Sequence, residues 1–309
     1  MFTTDNLRVV AVGDQLLRTS VRRARPGLAA RLTGGRGVGG TAARNMGRPP
    51  LLLLNGIGAS LELLQPFVDE IDPAVEVIRF DVPGVGGSPL PALPYRFTGL
   101  CALIAGMLTE LGYHSAVDVL GISWGGGVAQ HFAVFQRSRC RRLVLVSTAT
   151  GALMVPARPS VLAKMVTPRR YIDRGYLKQI AAEIYGGSAR TDPELVAAAM
   201  NAENRVGSAR GYLYQLAAGA GWTSLPLLPR LRRPTLIVSG DDDPIIPLAN
   251  ARLMHRLIPD SQLHVFHGGH LGLVTDAAQL APVIDRFLAA PSRATGPSAA
   301  GIQPAATIG

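Results

Sequence analysis

Residues 119–126 read Val-Leu-Gly-Ile-Ser-Trp-Gly-Gly, and they restrict this chain more than any other stretch. A run through 117–120 leads into Gly121-Ile122-Ser123-Trp124-Gly125, and a helix-compatible segment covers 127–136. The pattern is strand, tight turn, helix, with a serine at the tip. A Gly-x-Ser-x-Gly turn in that setting holds its serine in a strained backbone conformation, so that the hydroxyl projects from the top of a sheet. Side chains at Gly121 and Gly125 are expected to collide with each other or with neighbouring elements. The same five residues also occur as an ordinary glycine-rich turn; the flanking strand and helix favour the nucleophile elbow.

The rest of the chain repeats the strand-helix rhythm. A β-hairpin is expected in residues 1–23, around Gly13-Asp14. Residues 24–49 break all periodicity and read as a flexible Arg/Gly-rich insertion. Strands follow at 51–54, 75–80, 117–120 and 143–147. Helices are expected at 61–71 and at 98–111, the latter with Thr98 as N-cap and Gly112 as its stop. Four consecutive leucines at 51–54 suit a strand buried on both faces of a parallel sheet. From residue 152 to 229 the rhythm gives way to helical patches, one starting near Thr191 or Asp192. Five of the seven tyrosines lie in this stretch, which reads as a cap. Strands then return at 235–239 and 262–266, with helices at 248–257 and 276–288. Residues 291–309 carry no pattern and read as a disordered tail. The whole implies a mostly parallel, doubly wound α/β sheet, its core built from 50–151 and 230–290, with a helical cap insertion.

Composition narrows the function classes. No apolar run approaches the roughly 20 residues that span a bilayer, and the N-terminus lacks a signal-peptide pattern. Only Cys101 and Cys140 are present. Each is expected in a helix as a buried thiol, which fits a reduced, cytoplasmic setting. The formal charge of +10 is local: eight arginines and no acids lie between Gln15 and Pro50. A basic arm of this kind can meet an anionic surface, but a solvated loop is the favoured reading. No nucleic-acid fold signature accompanies it, so no nucleic-acid partner is expected.

Two further groups follow the elbow in the order Ser, acid, His that a triad on such a sheet takes. The acid lies in Gly240-Asp241-Asp242-Asp243-Pro244, after a strand. The histidine is His270 in Gly268-Gly269-His270, beyond the next strand. Functional groups of doubly wound sheets gather outside the carboxyl ends of their strands. His270 is expected to take the Ser123 proton as general base, while an aspartate holds its imidazole in the right tautomer. The third residue after the glycine points to Asp243, with Asp242 left open. Backbone amides of Trp124, and of Ile57 in Asn55-Gly56-Ile57-Gly58, are the expected oxyanion donors. His264, His267 and His270 alternate faces on an extended segment with no matching Cys or acid cluster nearby in the sequence, so no metal site is expected. The turn at 84–87 lacks the Gly-Lys-Ser/Thr ending of a phosphate loop, and no cofactor is expected. His114, His131 and His255 read as structural.

Beyond the triad, the chain resembles the α/β-hydrolase superfamily, and within it the intracellular poly(3-hydroxyalkanoate) depolymerases of the medium-chain-length type. The matching stretches include Leu54-Asn55-Gly56-Ile57-Gly58, Asp81-Val82-Pro83-Gly84, Pro94-Tyr95-Arg96-Phe97 and Leu120-Gly121-Ile122-Ser123-Trp124. Cap matches include Thr167-Pro168-Arg169-Arg170-Tyr171, Ile184-Tyr185-Gly186-Gly187 and Gly221-Trp222-Thr223-Ser224. Gly240-Asp241-Asp242-Asp243-Pro244 and Gly269-His270-Leu271 complete the set. The resemblance spans residues 51–288. It implies a serine esterase that hydrolyses the polyester of cytoplasmic storage granules, with Ser123, Asp243 and His270 as its triad and the granule surface as its partner. Two departures stand out: a longer insertion at 24–48, and Phe266-His267-Gly268 where acidic residues are expected before the histidine. A small-molecule esterase, a C–C hydrolase or a cofactor-free perhydrolase is the alternative on this scaffold. A non-catalytic granule-coat protein is a further one. The oligomeric state is left open.

Overall fold

The structure is a computed structural model and describes residues 7–25, 48–194, 196–197 and 207–291. Most of the expected insertion at 24–49, and the expected tail from 292 onward, lie outside the described residues. Eight strands form one sheet: β1 (Arg8–Val12), β2 (Gln15–Arg22), β3 (Leu51–Leu54), β4 (Val77–Phe80), β5 (Val117–Ile122), β6 (Cys140–Val146), β7 (Thr235–Gly240) and β8 (Ser261–Phe266). Their order is β1-β2-β4-β3-β5-β6-β7-β8. The β1–β2 hairpin joins antiparallel to β4, and the other pairs are parallel. This is the mostly parallel sheet of the α/β-hydrolase fold.

Helices on both faces explain why β3 and β5 read as continuous apolar runs. Successive side chains of a strand point to opposite faces. Leu51 and Leu53 enter one core, whereas Leu52 and Leu54 enter the other. The covering helices are α1 (Gln65–Glu70), α2 (Phe97–Glu110) and α3 (Trp124–Phe135). Between β6 and β7 come α4 (Pro159–Met165), α5 (Arg169–Ile172), α6 (Arg174–Tyr185), α7 (Ser188–Thr191) and α8 (Ala209–Gly219). After β7 come α9 (Ala249–Leu257), α10 (Gly272–Thr275) and α11 (Ala277–Ala289).

Three details differ from the sequence expectation. The helix expected at 61–71 is a 3-10 turn, Leu61–Leu64, followed by α1; Pro66 has no amide to continue an α-helical ladder across the junction. Thr98 does not cap α2. Arg96 occupies the cap position without a side-chain bond, and Thr98 Oγ1 instead lies 3.3 Å from His131 Nε2. Cys140 opens strand β6 and is not helical. Burial pushes its thiol up to about 12, so it stays protonated and inert. The helix expected to start near Thr191 or Asp192 agrees with the structure: Asp192 is non-helical and residues 193–194 and 196–197 are helical, whereas residues 195 and 198–206 lie outside the described residues.

The sheet positions the site through its switch point. β4 lies on one side of β3 and β5 on the other. The chain therefore leaves β3 and β5 in divergent directions and opens a crevice at their carboxyl ends. The turn at 84–87 is a tight turn after β4. Gly87 N donates to Asp81 Oδ2 at 2.8 Å, and Arg18 pairs with the same carboxylate at 2.9 Å. Among the described residues no helix is long and apolar enough to cross a membrane.

Candidate active site

Ser123 joins β5 to α3 with φ 54° and ψ −122°, a backbone region that residues other than glycine rarely adopt. The elbow tolerates no side chain at its flanks. A Cβ on Gly121 would lie 2.4 Å from the Gly125 carbonyl oxygen, and one on Gly125 would lie 2.2 Å from that of Leu54. The turn is pinned by Ser123 N to Val146 O at 3.0 Å and by Thr148 Oγ1 to Ser123 O at 2.7 Å. The strain is thus held by packing from β3 and β6, the neighbours of β5.

His270 follows β8 and Asp243 follows β7. Asp243 Oδ2 lies 2.8 Å from His270 Nδ1, and both side chains are buried. A carboxylate only accepts, so His270 Nδ1 carries the proton and Nε2 is left to accept. Asp243 Oδ1 accepts from Ile245 N and Ile246 N, each at 2.9 Å. Three hydrogen bonds therefore fix both oxygens of that carboxylate, and the imidazole is held against it.

The two neighbouring aspartates face elsewhere. Asp242 takes Arg190 Nε at 2.6 Å and Gly187 N at 2.8 Å, and the bond to Arg190 holds its carboxyl below the usual range. Asp241 pairs with the exposed His267 at 3.0 Å, and that bond likewise lowers the Asp241 carboxyl. The departure at 266–268 is therefore a surface pair next to the site.

Ser123 and His270 line one cavity together with Asn55, Gly56, Ile57 and Ile122. Its empty volume is about 340 Å³, counting its mouth. Gly56 N is bonded to Asn55 Oδ1 at 2.9 Å and Gly58 N to Gln215 Oε1 at 2.7 Å. Among the described residues, the amides of Ile57 and Trp124 have no acceptor. Both belong to turns beside Ser123, whose Cβ lies 3.7 Å from the position of a Gly56 Cβ.

The segment between β6 and β7 supplies further lining. Some of its aromatics are expected from the sequence to face the pocket, whereas Met165 and Arg170 are not singled out by it. Tyr171 Oη donates to Ile57 O at 2.6 Å, which fixes the turn after β3. Met165, Arg170, Tyr171 and Tyr185 all line the cavity. The run Tyr185-Gly186-Gly187 lies directly on the loops that carry Asp243 and His270, and His270 N donates to Tyr185 O at 2.7 Å. A Cβ on Gly187 (φ 50°) would lie 2.2 Å from Gly269 N, so only glycine permits this contact. A Gly-Gly pair in a helical stretch was the one available signal of such close approach. Nothing local marked Arg170, since adjacent arginines on a short helix read as solvated. Among the described residues no cluster of His, Cys, Asp and Glu could hold a metal.

A profile of the alpha/beta hydrolase fold family matches residues 49–277. The chain is 48% identical over 283 residues to the poly(3-hydroxyalkanoate) depolymerase of Ectopseudomonas oleovorans, covering 91% of this chain and 92% of that protein. It is 28% identical over 233 residues to 3-oxoadipate enol-lactonase 2 of Acinetobacter baylyi, covering 74% of this chain and 84% of that protein. Among solved structures, the enol-lactonase of Burkholderia xenovorans LB400 superposes with a TM-score of 0.72 over 91% of this chain and 99% of that one. At 19% identity that likeness speaks to the fold alone.

Proposed function

This chain belongs to the alpha/beta hydrolase family and, within it, to the poly(3-hydroxyalkanoate) depolymerases, which makes it a carboxylic ester hydrolase; from that premise we propose that it cleaves stored medium-chain-length poly(3-hydroxyalkanoate) through Ser123, His270 and Asp243. The observation that carries this reading is the buried 2.8 Å pair of Asp243 and His270, with His270 lining the same cavity as Ser123.

In this mechanism His270 Nε2 takes the Ser123 proton as Oγ attacks the ester carbonyl. The tetrahedral oxyanion accepts hydrogen bonds from the amides of Ile57 and Trp124. Collapse breaks the bond to the alcohol oxygen, which leaves with the proton from His270. A water then gives its proton to His270 and attacks the acyl-enzyme. The acid departs and Ser123 Oγ recovers its proton. Asp243 stays ionised throughout and stabilises the imidazolium. No metal or cofactor takes part in these steps.

The polyester assignment rests on the extent of the likeness to the depolymerase, which runs through the segment between β6 and β7. We read residues 152–229 as a cap whose apolar and aromatic side chains receive the alkyl branches. Each buried methylene contributes about 0.8 kcal/mol. The same reading puts the protein at the surface of cytoplasmic storage granules.

Purified protein is tested for release of 3-hydroxyoctanoate from amorphous medium-chain polymer granules, with Ser123→Ala as control. Release by the native chain alone is expected. Retained release in Ser123→Ala overturns the mechanism. Hydrolysis of p-nitrophenyl octanoate with none of the polymer overturns the substrate.

A further inference from the structure

Arg170 is 1% exposed and is among the largest fully buried side chains of the molecule. Its neighbour Arg169 faces solvent and pairs with Asp173 at 3.2 Å. A guanidinium stays charged at any ordinary pH, and burying it is costly unless an anion answers it. Among the described residues no carboxylate pairs with Arg170. Nη1 donates to Tyr212 Oη at 2.9 Å, and Tyr212 Oη is turned onto the Met165 carbonyl. The rings of Tyr171 and Tyr212 flank the guanidinium carbon at 4.7 and 5.4 Å. These rings offer a cation some compensation, but they do not neutralise it.

The unmet capacity lies at the cavity. Arg170 Nε and Tyr185 Oη are both buried and neither has a partner at good hydrogen-bond geometry, although the guanidinium and the phenol are close enough to act on each other, which leaves the phenol proton free to be donated. Both residues line the space that Ser123 and His270 line. Tyr185 also stacks on the His270 ring, with centroids 6.4 Å apart and planes at 18°. A fixed cation and a phenol donor therefore stand beside the proposed nucleophile and base. A planar fork of N–H donors matches the two oxygens of a carboxylate.

We infer that Arg170, with Tyr185, forms a carboxylate subsite, so that the site takes esters ending in a free carboxylate one repeat unit from the bond that breaks. In a 3-hydroxyacyl chain only the acid terminus carries such a group. The enzyme therefore works inward from that end and releases one 3-hydroxy acid per cut as the leaving alcohol. This inference rests on the esterase reading above, and it adds the direction of attack.

The test compares the 3-hydroxyoctanoyl dimer bearing a free carboxylate with its methyl ester. For the native chain the free acid is expected to have a kcat/KM about tenfold higher, carried by KM, as a charged hydrogen bond supports. In Arg170→Gln the ratio of acid to ester collapses toward one, whatever the absolute rates, and Arg170→Lys restores part of it. Equal turnover of acid and ester by the native chain overturns the subsite. Loss of both in the same proportion in Arg170→Gln does so too. Calorimetry on the native chain reads the subsite without turnover or a variant: 3-hydroxyoctanoate is expected to bind about tenfold more tightly than methyl 3-hydroxyoctanoate. Equal binding of the two overturns the proposal even if both dimers are cleaved. Tighter binding of the acid with no dimer cleaved upholds the subsite and overturns the polyester reading alone.

Discussion

Asp243 and His270 are 27 residues apart in the chain, and their side chains meet at 2.8 Å in a buried contact. Asp242, one position earlier, bonds to Arg190 on α7. A one-residue step along the backbone separates a carboxylate aimed at the imidazole from one aimed at the surface.

That separation makes an asymmetric prediction for two conservative variants. Asp243→Asn is expected to lower kcat/KM for p-nitrophenyl octanoate by about 10⁴-fold, because the amide no longer holds His270 in the tautomer that leaves Nε2 free. Asp242→Asn is expected to stay within about threefold of the native value, since its partner Arg190 is exposed. Steady-state kinetics of the two purified variants decide the matter, and similar losses in both count against the assignment.

The elbow's backbone predicts a stability effect opposed to activity. Ser123 sits at φ 54°, where a Cβ costs about 1–3 kcal/mol. Glycine relieves that strain and gives back about 0.5–1 kcal/mol in unfolded-state entropy. Ser123→Gly is therefore expected to melt roughly 2–4 °C above Ser123→Ala, with both inactive. Calorimetric Tm values of the pair provide the check. A Ser123→Gly variant melting at or below Ser123→Ala contradicts the strain argument.

His131 supplies a pH dependence. Its Nδ1 accepts from Trp222 Nε1 at 3.2 Å, which requires the neutral ring, and burial lowers its pKa. The unfolded ring takes a proton near about pH 6.5, whereas the folded ring resists until lower pH. Stability from this group is complete above the unfolded value and is lost as pH falls from there through the folded value. Thermal melts at about pH 7.5 and 5.5 are expected to show a larger drop for the native chain than for His131→Asn. An equal drop in both shows that His131 does not carry the effect.

The sequence by itself determined what short-range pattern can encode. Apolar runs of strand length specify the buried strands, and the glycines around Ser123 specify an elbow, because backbone sterics act within a few residues. The order of Ser123, Asp243 and His270 followed from the succession of strands. Tertiary structure alone decided which polar groups are buried and what they face. Cys140 entered a strand because β6 pairs between β5 and β7. Thr98 turned to His131 on α3, a helix 33 residues away in sequence. Arg169 and Arg170 are chemically identical neighbours, but about 100° of helix rotation sends one to solvent and the other into the cavity. That outcome depends on Tyr171, Tyr185 and Tyr212 closing around the second guanidinium. The free energy of a buried charge is set by such distant partners, and no local pattern carries them.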